Sequence, residues 1–281
     1  MTGCSNIEVR RCRPLLGTFV EIRASGSSET EIHRAVNDAF AAVERIQGLM
    51  STHDPGSELS RLNNEAAYRP VAVSRDTFSV LRRANALASE SGGAFDYTIA
   101  PTLARWGMLP GNLGRNNPGG WRDVRLLPHR QVCFQRPLAL DLGGIAKGFA
   151  VDRALEVLRA GGVMAALVNA GGDLRAFGPQ PHWVHLRHPC LPQSLTRPLE
   201  LKDSALATSS PCFTECCWRG RRVSHLVNPV RQTAIAGGVS VSVRAGECWL
   251  ADALTKVVFN APVLAEGLLA RRNAEAFVFT A

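Results

Sequence analysis

The sequence predicts an α+β fold. Three observations carry this: segments with period-two alternation and segments with helical spacing both occur, their order departs from strict strand-helix-strand alternation, and no low-complexity stretch or linker divides the 281 residues. A composition of 46% hydrophobic and 20% charged residues suits a globular chain with a sizeable core.

Residues 16 to 24, LGTFVEIRA, alternate apolar and polar side chains and read as a strand, with 25 to 28 as its turn. Ser28 and Glu31 have the spacing of a capping box, after which Ile32, Ala35, Val36, Ala39, Phe40, Val43 and Ile46 recur at helical intervals. Residues 51 to 64 read as a polar loop, and a second amphipathic helix runs from about Asp76 to Ser91, where Gly92 and Gly93 stop it. Five glycines and two prolines between positions 105 and 120 predict a surface loop. A strand ending at Asp141, a glycine-rich loop and a helix follow, then a strand over 165 to 169 and a tight turn at Gly171-Gly172-Asp173. Further strands are expected over 183 to 186, 222 to 227 and 239 to 243, before a helix over 249 to 259. The strand ends LDLGG and VNAGG are alike, which raises the expectation of a duplicated unit.

The formal net charge of +8 suits an anionic ligand or acidic partner. It is spread along the chain without a basic run interleaved with aromatics, so no nucleic-acid partner is expected. Lys147, Lys202 and Lys256 are the only lysines. No apolar stretch approaches the roughly 20 residues of a spanning helix, and the N-terminus lacks a signal-peptide core, so a cytoplasmic protein without a membrane span is expected. Thr2-Gly3-Cys4 resembles the end of a lipoprotein cleavage site, which would apply only to a truncated start. The eight dispersed cysteines are expected as reduced thiols. Cys212, Cys216 and Cys217 lack a second Cys or His pair at zinc-finger spacing.

The stretch DLGGIAKGFAVDRAL, residues 141 to 155, has the makings of an anion cradle. Such a cradle needs backbone N–H groups unobstructed by Cβ atoms, a helix N-terminus and often a lysine. Gly143, Gly144, Lys147 and Gly148 provide these residue types. The order fits neither the P-loop, where Lys follows its glycine, nor G-x-G-x-x-G. A helix entry with glycines chosen for close packing remains the other reading of the loop alone.

Eight segments in order carry more: LLGTFVEI (15 to 22), MSTHDPGSELSRLN (50 to 63), FDYTIAPTLARWG (95 to 107), DLGGIAKGFAVD (141 to 152), LVNAGGDLRAFG (167 to 178), ALATSS (205 to 210), SHLVNP (224 to 229) and LADALTK (250 to 256). Together they resemble the FAD:protein FMN transferases, the ApbE-type flavin transferases. The resemblance implies a two-layer, T-fold-related architecture with mixed sheets, formed by one domain over 15 to 281 behind an extension of residues 1 to 14. It also implies an activity: cleavage of FAD, attachment of FMN through its phosphate to a Thr or Ser of an acceptor protein, and release of AMP. The acceptor is expected to be a membrane redox subunit, and Mg2+ to assist.

Phosphoryl transfer needs fixed phosphates and stabilised developing charge, which agrees with the cradle. Gly143, Gly144 and Lys147 are then expected on the pyrophosphate, Gly171, Gly172 and Asp173 toward the adenosine end, and Asp96 either on the ligand or capping a turn. His225 takes the place of a general base, and Asp252 with a carbonyl near Ala146 that of metal ligands. Three departures stand out. His53 replaces a tyrosine that stacks on flavin, Asn228 replaces an Asp, and Lys256 replaces the metal-binding hydroxyl four residues after Asp252. Thr255 is a poor substitute, since one step along a helix turns a side chain by roughly 100°. Lys256 is instead expected to pair with Asp252, serving catalysis as a cation or leaving Mg2+ to waters and phosphates. Two other functions remain open: an FAD-binding module without transfer, and an FAD pyrophosphatase yielding FMN and AMP.

Overall fold

The computed structural model describes residues 7–115, 119–189 and 195–280, so the Thr2-Gly3-Cys4 segment and Cys190 lie outside it. Its frame is a seven-stranded sheet of β1 (Ile7–Leu15), β2 (Thr18–Gly26), β3 (Ala165–Ala170), β4 (Asp173–Phe177), β5 (Ala205–Ser209), β6 (Val239–Ala245) and β7 (Glu275–Thr280). Spatial order follows chain order, and every neighbouring pair is antiparallel.

Long excursions leave this meander. Between β2 and β3 come α1 (Glu29–Met50), α2 (Glu58–Glu65), α3 (Arg75–Glu90), α4 (Ala100–Arg105), a small three-stranded sheet and α5 (Ala146–Ala160). The hairpin His182–Arg187 with Leu195–Leu201 separates β4 from β5, and two short hairpins between Cys216 and Ala234 separate β5 from β6. Helices α6 (Cys248–Asn260) and α7 (Pro262–Arg271) link β6 to β7. Among the described residues no helix is long and apolar enough to cross a membrane.

The two layers follow from strand alternation. Val20, Ile22 and Ala24 of β2 and Ala166, Val168 and Ala170 of β3 face the helices, joining Phe40, Phe149 and Leu254 in the main core. Leu167, Leu174 and Leu206 face the other way and pack with Leu186 and Leu201 of the long hairpin. Helix α1 buries the predicted apolar stripe, and Ser28 caps it by accepting from Glu31 N–H.

Several expectations change. Residues 7 to 14, expected as an extension, belong to the edge strand β1, paired with β2 over its whole length. The hairpin turns at Leu16 and Gly17, both at positive φ (56° and 69°), as a two-residue turn compatible with strand twist requires. Only Val9 of β1 is buried, so a charged edge strand left no alternation to read. The loop over 51 to 64 contains α2, whose N-terminus is capped by Ser57 and whose Leu59 and Leu62 are buried. Eight residues are too few for a clear helical period. No strand ends at Asp141. The buried backbone there is satisfied otherwise: Asn63 donates to Leu140 O (3.1 Å) and accepts from Leu140 N–H (2.7 Å), while Asp141 N–H donates to Tyr97 O (2.8 Å). The two double-glycine segments also differ, since one leads into α5 and the other turns the β3–β4 hairpin.

Helices α5 and α6 meet at their N-terminal ends. A Cβ on Gly148 would lie 2.6 Å from the Cys248 carbonyl carbon, so the crossing requires glycine. Four residues on, Asp152 performs the capping that Glu247 omits: its Oδ1 and Oδ2 accept from Cys248 and Trp249 N–H, each at 2.9 Å. Arg175 of β4 steadies the same carboxylate at 2.7 Å.

Gly148→Ala is therefore expected to lower stability by about 1 to 3 kcal/mol through overpacking, read as a fall in Tm; an unchanged Tm would contradict the crossing. Burial pushes the Asp152 carboxyl up to about 6, against Arg175 and the two N–H groups. The folded chain then keeps a proton that the unfolded chain releases at about pH 4. Relative to Asp152→Asn, the wild type should lose stability as pH rises from about 4 to about 6, measured by urea unfolding at each pH.

Candidate active site

The α5–α6 crossing brings four charged side chains together. Lys147, in the first turn of α5, donates to Asp173 Oδ2 in a short ion pair and lies 3.5 Å from Asp252 Oδ2. Gly148 N–H donates to the same Asp252 oxygen at 3.3 Å. One turn along α6, Lys256 makes a short ion pair with Asp252 Oδ1 and donates to the Asp252 carbonyl at 3.0 Å. Asp252 is fully buried and Asp173 is 2% exposed, so both carboxylates depend on these lysines for compensation.

Burial alone would lower the Lys147 pKa, but Asp173 and Asp252 outweigh it and raise it above the usual lysine value. Burial likewise pushes the Asp252 carboxyl up, yet Lys147 and Lys256 hold it below the ordinary carboxylate range. Asp173 is raised by burial and by the charge of Asp252, with the lysines pulling against both.

The flanking loops serve this cluster. Gly171 (φ 64°) and Gly172 (φ 103°) form the β3–β4 turn, with Gly172 N–H donating to Asn169 at 2.9 Å, and the turn delivers Asp173 to Lys147. A Cβ on Gly171 would collide with Thr18. Gly144 lies over α6: a Cβ there would sit 3.4 Å from Lys256 Cε and 3.6 Å from the Phe95 ring. Gly143 is exposed, and its N–H donates to Asp141 Oδ1 at 3.2 Å.

Asp141 was missed in the sequence, where it counted only as a strand end. Burial raises its carboxyl, while the charges of His225, Lys256 and His53 pull it down. A carboxylate just ahead of paired glycines was the available signal. His225 is exposed between the two short hairpins, where buried Ser224 anchors the chain by donating to Ile235 O at 2.7 Å. His53 is exposed in the turn after α1, which Ser51 holds by accepting from His53 and Asp54 N–H, each at 3.2 Å.

Other expected residues have local duties. Asp96 accepts from Thr98 N–H and Oγ1, each at 2.8 Å, and from Trp121 N–H at 3.3 Å, which is the turn-capping alternative. Asn228 accepts from Val230 and Arg231 N–H and closes a turn. Thr255 donates to the Asp252 carbonyl at 2.7 Å and meets Ser209 at 2.7 Å.

A divalent ion does not fit these residues. Lys256 occupies one Asp252 oxygen, and Lys147 and Gly148 N–H address the other; among the described residues no hydroxyl is hydrogen-bonded to the carboxylate, and Thr255 turns to the Asp252 carbonyl. Ala146 opens α5, where a carbonyl points along the helix axis toward the following turn. Among the described residues no group of three His, Cys, Asp or Glu side chains could hold a metal ion, so the three clustered cysteines form no such site.

Known proteins share this arrangement's scaffold. The chain is 28% identical to an FAD:protein FMN transferase of Treponema pallidum, covering 90% of this chain and 78% of that one. It is 29% identical to another of Vibrio cholerae, with 90% and 82% covered. The structure of the ApbE protein of Thermotoga maritima superposes with a TM-score of 0.84 at 26% identity, covering 98% of this chain and 94% of that one. The apo flavinyl transferase ApbE of Pseudomonas stutzeri gives 0.83 at 23% identity, with 99% and 92% covered. The sequence profile of the ApbE family matches residues 16–278, nearly the whole chain, and the chain belongs to that family.

Proposed function

We propose that this chain is an FAD:protein FMN transferase, which moves FMN from FAD to a Thr or Ser hydroxyl of an acceptor protein and releases AMP. The observation that supports the reading most directly is the pair of lysines on buried carboxylates beneath a glycine loop at the N-terminus of α5. Such a floor suits a pyrophosphate: the Gly144 backbone N–H, the helix end and Lys147 address its oxygens, while the Gly143 N–H is held by Asp141.

The reacting groups then have separate roles. Lys147 fixes the phosphates, and the Asp173 and Asp252 carboxylates fix Lys147. His225, exposed between the two short hairpins, takes the proton of the attacking hydroxyl. His53 offers a ring to the flavin, and Asp173 follows the turn assigned to the adenosine end. The exposed setting of His225 leaves room for an acceptor segment, for which a redox subunit at a membrane is the proposed source.

The direct test is incubation with FAD and a Thr-containing acceptor, followed by mass spectrometry. Acceptor-bound FMN with equimolar AMP is expected; free FMN with AMP would indicate hydrolysis, and intact FAD a binding module. Lys147→Ala should weaken FAD binding by at least about 30-fold by calorimetry, as expected for loss of a desolvated charge contact. Unchanged affinity would remove Lys147 from the pyrophosphate site. His225→Ala should retain FAD affinity and slow transfer by about 100-fold or more, and equal rates would exclude it as the base.

A further inference from the structure

Resting on this functional reading, we infer that the Lys256 ammonium is the resident cation of the site and that transfer runs without a divalent metal ion. The placement is specific. Lys256 lies one helical turn beyond Asp252, with its ammonium on both Oδ1 and the carbonyl of that residue. Its side chain is 17% exposed and passes close to Gly144, where a Cβ would lie 3.4 Å from Cε.

Donor counting gives the ammonium a free hand. A lysine carries three N–H donors. Two of those on Lys256 go to Asp252, leaving one for a phosphate oxygen above. Lys147, between Asp173 and Asp252, is left with one in the same way. Each ammonium thus keeps one donor with which to compensate charge on the departing phosphate.

A magnesium ion would need an Asp252 oxygen at about 2.0 to 2.1 Å and near-octahedral partners. Reaching it means displacing an ammonium that has two acceptors, beside a second lysine of like charge. Nor does the nearby hydroxyl help. Thr255 is turned to Ser209 and to the helix backbone.

The step balances without a metal. The acceptor oxygen bonds to the FMN-side phosphorus, the bridging P–O bond breaks, the hydroxyl proton passes to His225, and AMP leaves with the bridging oxygen. Lys147 and Lys256 stay protonated throughout, compensating charge as hydrogen-bond donors.

Two measurements on the wild-type protein decide the matter. Manganese titration followed by EPR should show no stoichiometric Mn2+ site, and transfer should proceed in EDTA at its rate in Mg2+. Lys256→Thr should gain Mn2+ binding and lose at least about tenfold of its transfer rate in EDTA, with Mg2+ restoring it, as expected when one charge-stabilising contact depends on the ion. Stoichiometric micromolar Mn2+ binding by the wild type, or loss of transfer in EDTA with recovery in Mg2+, would overturn the inference. Because the wild-type titration needs neither the variant nor activity, it stands even if Lys256→Thr fails to fold. Absence of AMP in both EDTA and Mg2+ would overturn the transferase reading instead, and the EPR result would still decide between lysine and metal at Asp252.

Discussion

The close crossing of α5 and α6 is the constraint on which the site depends. Gly148 allows the two N-terminal ends to touch, and Asp152 locks them by capping α6 from α5. A lysine at the start of one helix is thereby set against an aspartate and a lysine of the other. Rotating either helix by one residue would carry these groups to different faces, because each step turns a side chain by roughly 100°.

Electrostatics makes the arrangement self-consistent. Two carboxylates with almost no exposure would be costly alone, and the partly exposed Lys147 and Lys256 compensate them. Placed alternately, each charge is the other's solvent. The β3–β4 turn contributes Asp173 because only glycines tolerate its left-handed backbone and the approach of Thr18. The result is a rigid floor built on helices and strands, over which the glycine loop passes into α5.

The groups assigned to chemistry sit on less regular ground. His225 and His53 project from turns, each anchored by a neighbouring serine rather than by regular secondary structure. Both act electrostatically on Asp141, though the three residues lie far apart in the chain. This division is physically sensible, since the floor must hold two buried charges while the rim must admit a protein segment.

Much was legible in the residues. The apolar stripe and cap of α1, the alternation of β2, the turn at Gly171-Gly172 and the helix carrying Asp252 and Lys256 all came from local spacing, and local spacing reflects the α and β periods. The same spacing placed Lys256 beside Asp252 and turned Thr255 away. Strand β1 and helix α2 were hidden, one because an edge strand exposes both faces and the other because it is too short to show a period. Local pattern could not assign Asp152 to the cap of a helix some hundred residues on, or join Lys147 to Asp173 and Asp252. Sequence by itself therefore determined the elements and the chemical types at the site, which depend on near neighbours. Only the tertiary structure decided which charges share a buried space, because that follows from how the helices cross and where the sheet delivers its turns.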